Sequence, residues 1–143
     1  MPSAETNELF PCTPEQMFKI ITDYAKYSEF LGEVKSCQVI KEEGGKKLVE
    51  YHISALRDFK YRLWMTETKN KTVEWTLESG DIFKSLKGSW KLTDEGGKCR
   101  AEYAVEGEFA IFVPGPIAKG LMSVNLPNMV ASYKKRINQL YGG

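Results

Sequence analysis

The most constraining feature of the sequence is a long region of period-two alternation between Val34 and Phe109. Apolar and polar residues alternate there in several runs, which is typical of antiparallel strands with one dry face and one wet face. Short turn signals separate the runs: Gly44-Gly45, Arg57-Asp58, Lys69-Asn70-Lys71, Gly80-Asp81 and Gly96-Gly97. With Glu5 to Cys12 as a further short strand, the pattern predicts an antiparallel sheet of six to seven strands.

Helices are predicted on both sides of this region. Thr13-Pro14-Glu15-Gln16 places a hydroxyl at the N-cap, proline at the first helical position and glutamine three residues after the cap. A second short helix is predicted over Tyr27 to Leu31, closed by Gly32. From about Ile117 to Tyr141, apolar residues recur at steps of three and four, which predicts a long amphipathic helix. We expect a kink at Pro127, inside that helix.

Together these elements predict the α+β class. A sheet with one dry face and an amphipathic helix can bury each other, so we expect a curved antiparallel sheet wrapped around a long C-terminal helix. The 143 residues fit one domain, predicted over 1–143.

Charge and cysteine content narrow the function classes. The 20 basic and 19 acidic side chains give a net charge of +1, without the excess positive charge that DNA-binding proteins concentrate. The three cysteines are widely spaced and odd in number, which argues against a disulfide framework or a Cys-x-x-Cys metal site. No apolar run approaches a membrane span, and Met1 to Leu9 lacks the features of a targeting signal. We therefore expect a cytoplasmic protein with no DNA partner, no metal and no cofactor.

The only histidine, His52, is the first candidate for catalysis. It alternates with Tyr51 and Ile53, so it is expected on the wet face of the sheet, where a surface role is favoured over a catalytic one. No phosphate-binding glycine loop is visible, and the carboxylates fall in turns or on the wet face. The sequence shows no catalytic dyad or triad. Enzymatic activity is therefore left open, and a protein without such activity is favoured.

Three stretches are similar to motifs of the START-like superfamily, also called helix-grip or SRPBCC. Asp23 to Leu31 is similar to its Asp-Val/Tyr-x-x-Tyr-Pro-x-Phe-Leu segment, and Phe83 to Leu92 is similar to its Phe-x-x-Leu-x-Gly-x-Trp-x-Phe segment. Met129 to Arg136 resembles the end of its last helix. The branches that the chain most resembles are the coenzyme Q-binding START-domain proteins and bacterial relatives described as polyketide cyclase/dehydrase or ribosome-association toxin.

This resemblance implies a cavity between the sheet and the C-terminal helix that holds a hydrophobic small molecule. From the residues alone, the aromatic side chains of the dry face are explained as well or better by a solid core. The resemblance favours a cavity. The candidate ligand-binding residues are Tyr61, Leu63, Trp75, Leu77, Phe83, Trp90, Tyr103, Val105, Phe112, Leu121, Met122, Leu126 and Met129.

The stretch from Phe112 to Met122 is very apolar for a junction between sheet and helix. One interpretation is a buried connection. The other is a cavity entrance, with Tyr27 to Leu31 as its opposite rim, which touches lipid or membrane. The second interpretation adds transient membrane contact and a location at the membrane periphery.

Three functions follow as alternatives. The leading one is binding or transport of a hydrophobic small molecule, a lipid or a polyprenyl quinone-like molecule. The second is an enzyme of the polyketide aromatase/cyclase type. The third is a ribosome-associated interaction protein, for which Lys134-Lys135-Arg136 is a weak basic cluster.

Overall fold

The computed structural model of the chain describes residues 3–55, 57–112, 114 and 126–142. Its strands span Ser3–Phe10 (β1), Val34–Glu43 (β2), Lys46–Ala55 (β3), Arg57–Thr68 (β4), Thr72–Gly80 (β5), Phe83–Glu95 (β6) and Lys98–Phe109 (β7). Within these residues they form one curved seven-stranded antiparallel sheet in the order β1-β7-β6-β5-β4-β3-β2. The predicted sheet is confirmed, and Glu5 to Cys12 does contribute to a seventh strand.

Two of the predicted turns contain a glycine pair whose backbone conformation favours glycine. Gly44-Gly45 and Gly96-Gly97 have φ angles between 59° and 87°, which glycine adopts without a Cβ penalty. The strand break predicted at Arg57-Asp58 is confirmed but lies earlier, because β3 ends at Ala55 and β4 begins at Arg57. Arg57 and Asp58 already pair with Ala55 and Ser54.

The first helix, α1, spans Pro14–Ile21 and begins as predicted. The hydroxyl of Thr13 accepts from the Gln16 backbone N–H at 3.1 Å, and the Gln16 side chain accepts from the Thr13 N–H at 3.0 Å. This reciprocal pair is a capping box. The next segment is a 3₁₀ helix at Tyr24–Glu29, which begins three residues and ends two residues before the predicted Tyr27 to Leu31.

The C-terminal helix, α2, spans Leu126–Tyr141 and has 16 residues. It is shorter than the long helix predicted from Ile117, and residues 117–125 lie outside the described part of the chain. Pro127 is the second residue of the described helix. The predicted kink falls at the border of the described residues and stays a prediction.

The core lies between the sheet and the three helical segments. Met17 and Ile21 of α1, Tyr27 of the 3₁₀ helix and Ile137 of α2 are buried in one cluster with the apolar strand residues. Cys12, Cys37 and Cys99 are free thiols that lie buried in this cluster. Burial raises the pKa of Cys12 to about 11 and the pKa values of Cys37 and Cys99 to about 12, so all three stay protonated at neutral pH.

Candidate functional site

The inner face of the sheet is the surface that packs towards the helices, and its side chains come from alternating positions of β3 to β7. A bulge in β6 between Phe83 and Ser85 changes the alternation, so that both Phe83 and Leu86 are buried. The inner face is formed by Tyr51, Ile53, Phe59, Tyr61, Leu63, Met65, Val73, Trp75, Leu77, Phe83, Leu86, Trp90, Leu92, Ala101, Tyr103, Val105 and Phe109.

One group of aromatic rings crosses strands β3, β4, β6 and β7. Tyr51 and Tyr61 are cross-strand partners whose rings stack with centroids 5.1 Å apart. Phe83 lies 5.6 Å from Tyr61 and 5.1 Å from its own partner Phe109. Phe59 completes the group at 5.9 Å from Tyr61. These edge and stacked contacts fix the ring orientations beyond simple area burial.

A second group of rings joins the sheet to α2. The Tyr103 ring lies 4.8 Å from Trp90 and 5.8 Å from Trp75. Tyr133 of α2 contacts Trp90 at 5.5 Å. Gly88 lies below the Trp75 ring, because a β-carbon at this position would come within 2.5 Å of Trp75 Cζ2. The glycine and the tryptophan of the Phe83 to Leu92 motif therefore belong to one packing unit.

The buried stripe of α2 differs in one position from the prediction. Val130, Tyr133 and Ile137 are buried, while Leu140 is 49% exposed. Leu140 continues the apolar spacing of Tyr133 and Ile137, but it lies in the last turn of α2, where the helix no longer packs on the core. Met129 is partly buried against the core.

Two inner tyrosines have partners that the sequence does not reveal. The Tyr24 hydroxyl donates to Glu67 Oε2 at 2.7 Å, and the same carboxylate oxygen lies 3.2 Å from Lys47 Nζ. The Tyr51 hydroxyl is 3.8 Å from Met65 Sδ. Burial raises the pKa of Tyr24 and of Tyr51 far above the ordinary value. These hydroxyls are neutral donors already used within the fold.

Tyr61 and Tyr103 differ from these two. Among the described residues, neither hydroxyl has a hydrogen-bond partner, and both side chains are only partly buried. Burial still raises the pKa of Tyr103 to about 12 and that of Tyr61 further. Each therefore presents a neutral O–H donor on an otherwise apolar surface.

The structure brings most of the predicted ligand residues onto the inner face. Phe112 does not lie there: it follows β7 and is 90% exposed. Leu121 and Met122 lie outside the described residues, and of Leu126 only the backbone is described. The remaining candidates on the inner face or beside it are Tyr61, Leu63, Trp75, Leu77, Phe83, Trp90, Tyr103, Val105 and Met129. A cavity between them and α2 stays a prediction.

His52 lies on the outer face, as the alternation predicts. Tyr51 and Ile53 on either side are buried, while the His52 side chain is partly exposed and its Nε2 is 3.9 Å from Asp58 Oδ2. In the described part of the chain, no group of three or more His, Cys, Asp or Glu side chains is placed to hold a metal ion. None of the helices described is both long and apolar enough to cross a membrane.

Comparison with known proteins places this architecture in a family. Residues 10–134 match the family described as polyketide cyclase/dehydrase and lipid transport. The ribosome association toxin RatA of Vibrio cholerae is 26% identical over 145 residues, covering 99% of both chains.

Solved structures agree on the fold. A START superfamily protein from Mycobacterium smegmatis superposes with a TM-score of 0.86 at 17% identity, covering 96% of this chain and 98% of the other. The Zhui aromatase/cyclase of a Streptomyces species gives 0.80 at 12% identity, with 99% and 97% covered. The chain has a START-like fold and belongs to the polyketide cyclase/dehydrase and lipid transport family.

Proposed function

We propose that the chain binds or transports a hydrophobic small molecule, a lipid or a polyprenyl quinone-like molecule, between the inner face and α2. The family description includes lipid transport, and the inner face offers aromatic and aliphatic walls with few polar groups. Such a composition is typical of small-molecule sites, in which a few polar anchors set the orientation.

The observation that carries the proposal is the pair of phenol groups on Tyr61 and Tyr103. Both sit among apolar neighbours, both are held neutral, and neither is paired within the described residues. An O–H donor that has no partner in the described residues can donate to a ligand oxygen, and on an apolar surface such a bond would set the orientation of the ligand. A quinone or ester carbonyl supplies such an acceptor on an apolar molecule.

Mass spectrometry of organic extracts from gently purified protein tests the proposal directly. We expect a co-purifying molecule with an apolar chain or ring system and at least one carbonyl or hydroxyl oxygen. Extracts that contain nothing beyond those of a purification blank, together with no binding of added quinone or lipid, would contradict it.

Removing either anchor should weaken binding. We expect Tyr61→Phe and Tyr103→Phe each to reduce affinity for a short-chain polyprenyl quinone about fivefold, the loss of one hydrogen bond. Quenching of tryptophan fluorescence measures this, since Trp75 and Trp90 contact Tyr103. Tyr24→Phe is the matched control, because its hydroxyl already bonds Glu67. Equal losses in all three variants would point to a general loosening of the fold.

The cyclase alternative draws on the same hydroxyls. Tyr61 and Tyr103 are neutral phenols on the inner face, and two donors suit a substrate with several carbonyls. Among the described residues no histidine lies on the inner face, so catalysis would rest on folding the substrate rather than on an acid–base pair. Turnover of a poly-β-ketone substrate would favour this alternative.

The ribosome alternative draws on the name of the Vibrio relative. Two members of the basic cluster are engaged within the fold: Lys134 Nζ lies 3.3 Å from Glu8, and Arg136 Nη2 lies 3.1 Å from Glu29. Their charges are partly neutralised, which lowers their contribution to RNA binding. Co-sedimentation with large ribosomal subunits at physiological salt would favour this function over a carrier.

Transient membrane contact through the residues after β7 is part of the carrier proposal. Phe112 is 90% exposed and Ile111 is 46% exposed, and exposed neighbouring apolar side chains mark interaction sites. We expect Phe112→Ser to reduce co-sedimentation with phosphatidylcholine vesicles about tenfold, since burying a phenylalanine ring contributes roughly 1.5–3 kcal/mol. Val39→Ser, an exposed apolar residue on β2, serves as the control and should leave vesicle binding unchanged.

A further inference from the structure

A groove with a volume of about 370 Å³ lies between the end of α1, the 3₁₀ helix and the last turns of α2. Its lining includes three cations, Lys19, Lys26 and Arg136, and two exposed apolar residues, Leu140 and Tyr141. The groove shares no lining residue with the candidate ligand site of the inner face. The volume falls within the range of roughly 300–1,000 Å³ that small-molecule sites occupy.

The guanidinium of Arg136 is fixed in the wall of this groove. Its Nη2 donates to Glu29 Oε1 at 3.1 Å, and its Cζ lies 5.3 Å from the centroid of the Phe30 ring. The side chain is only 15% exposed. Arginine has five N–H donors, so one bond to Glu29 leaves others for a ligand. A held, partly desolvated guanidinium binds an anion without first being ordered.

Lys19 and Lys26 differ in whether a carboxylate pairs with their ammonium group. Lys26 Nζ lies 3.4 Å from Glu29 Oε2, which already shares its charge. For Lys19 the described residues provide no ion pair. Asp23 is the carboxylate of the lining, and Glu29 pairs with both Lys26 and Arg136, so the three cations outnumber these two carboxylates. Lys19 therefore contributes the largest unshared positive charge.

The apolar part of the groove is formed by the end of α2. Leu140 is 49% exposed and Tyr141 is 39% exposed, and Tyr141 offers a flat ring for stacking. Covering such apolar side chains with a ligand removes them from water, which makes the free energy of binding more favourable. A fixed guanidinium and a free ammonium beside an aliphatic and an aromatic side chain match an amphipathic anion.

We propose that this groove binds a phosphate monoester that carries a flat or aliphatic apolar group. The phosphate would contact Lys19, Lys26 and Arg136, because guanidinium and ammonium groups form their strongest hydrogen bonds with ionised oxygens. The apolar group would cover Leu140 and Tyr141. The ester can come from a soluble metabolite or from the headgroup of a lipid such as phosphatidic acid.

Titration with 1-naphthyl phosphate, followed by two-dimensional NMR of the labelled protein, tests the site. We expect shifts in the amides of α1, the 3₁₀ helix and the end of α2. The neutral analogue 1-naphthol should bind much more weakly. Lys19→Gln should lower the affinity for 1-naphthyl phosphate about fivefold. Lys26→Gln should lower it less, since Glu29 already neutralises part of the charge of Lys26. Lys135→Gln, an exposed lysine of α2 outside the groove, should leave the affinity unchanged.

A second arm separates the two sources of the ester. Vesicles of phosphatidylcholine with phosphatidic acid test the lipid source, and 1-naphthyl phosphate tests the soluble one. Binding in either arm that Lys19→Gln weakens and Lys135→Gln does not supports the proposal and assigns the source. The proposal is overturned if neither probe binds, if 1-naphthol binds as tightly as its phosphate, or if the shifts map to the inner face.

Discussion

Gly88→Ala is expected to lower the free energy of unfolding by about 3 kcal/mol, the upper end for overpacking a core position. A β-carbon on Gly88 would lie 2.5 Å from the carbonyl oxygen of Ala104 and 2.5 Å from Trp75 Cζ2. The first atom belongs to the backbone of the neighbouring strand β7, and the second to a ring packed against Tyr103. Neither can retreat without separating β6 from β7 or breaking the second group of rings.

Gly32→Ala provides the control for this substitution. A β-carbon at Gly32 meets no atom within 4 Å, so the variant should stay within about 1 kcal/mol of the parent, or gain stability from a less flexible unfolded chain. Urea denaturation followed by tryptophan fluorescence compares the two. If Gly88→Ala were as stable as Gly32→Ala, the inference that the Trp75 ring packs tightly against Gly88 of β6 would be wrong. The glycine of the motif would then need another explanation.

The strands could be predicted because their information is local. Alternation such as Val49, Tyr51 and Ile53 assigns each side chain to a face without knowledge of its partner. The capping box of Thr13 and Gln16 is local in the same way, since all its atoms lie within one helical turn. Those predictions are confirmed by the structure.

Predictions that depend on where an element ends were less accurate. Leu140 continues the spacing of Tyr133 and Ile137, yet whether it is covered depends on how far the core extends beneath α2. Arg57-Asp58 resembles a turn by composition, and only the pairing of β3 with β4 shows that both residues already belong to β4.

The candidate site shows the same limit. The alternation of side chains along a strand places Tyr61 and Tyr103 on the inner face, but it does not predict whether their hydroxyls have hydrogen-bond partners. The bond from Tyr24 to Glu67 joins residues 43 positions apart. The groove beside Arg136 joins three segments that only the tertiary fold brings together. The spacing of residues along one helix or strand predicts neither the bond from Tyr24 to Glu67 nor the groove.

The anchoring of α2 leads to the second large effect. Ile137 is 1% exposed and sits one turn after Tyr133, which contacts both Phe30 and Trp90. We expect Ile137→Ala to lower the free energy of unfolding by about 3 kcal/mol, because it removes buried methyl groups and leaves a void that fixed neighbours cannot fill. Thermal and urea denaturation both measure this change.

Leu140→Ala on the same helix is the matched comparison. Leu140 is 49% exposed, so the same kind of truncation there should cost less than about 1 kcal/mol. The two variants have nearly equal helix propensity gains from alanine, so their difference reports packing on the core and not helix formation. A loss at Leu140 equal to that at Ile137 would mean that the last turn of α2 is covered. The groove proposed to bind a phosphate monoester would then be closed on its apolar side.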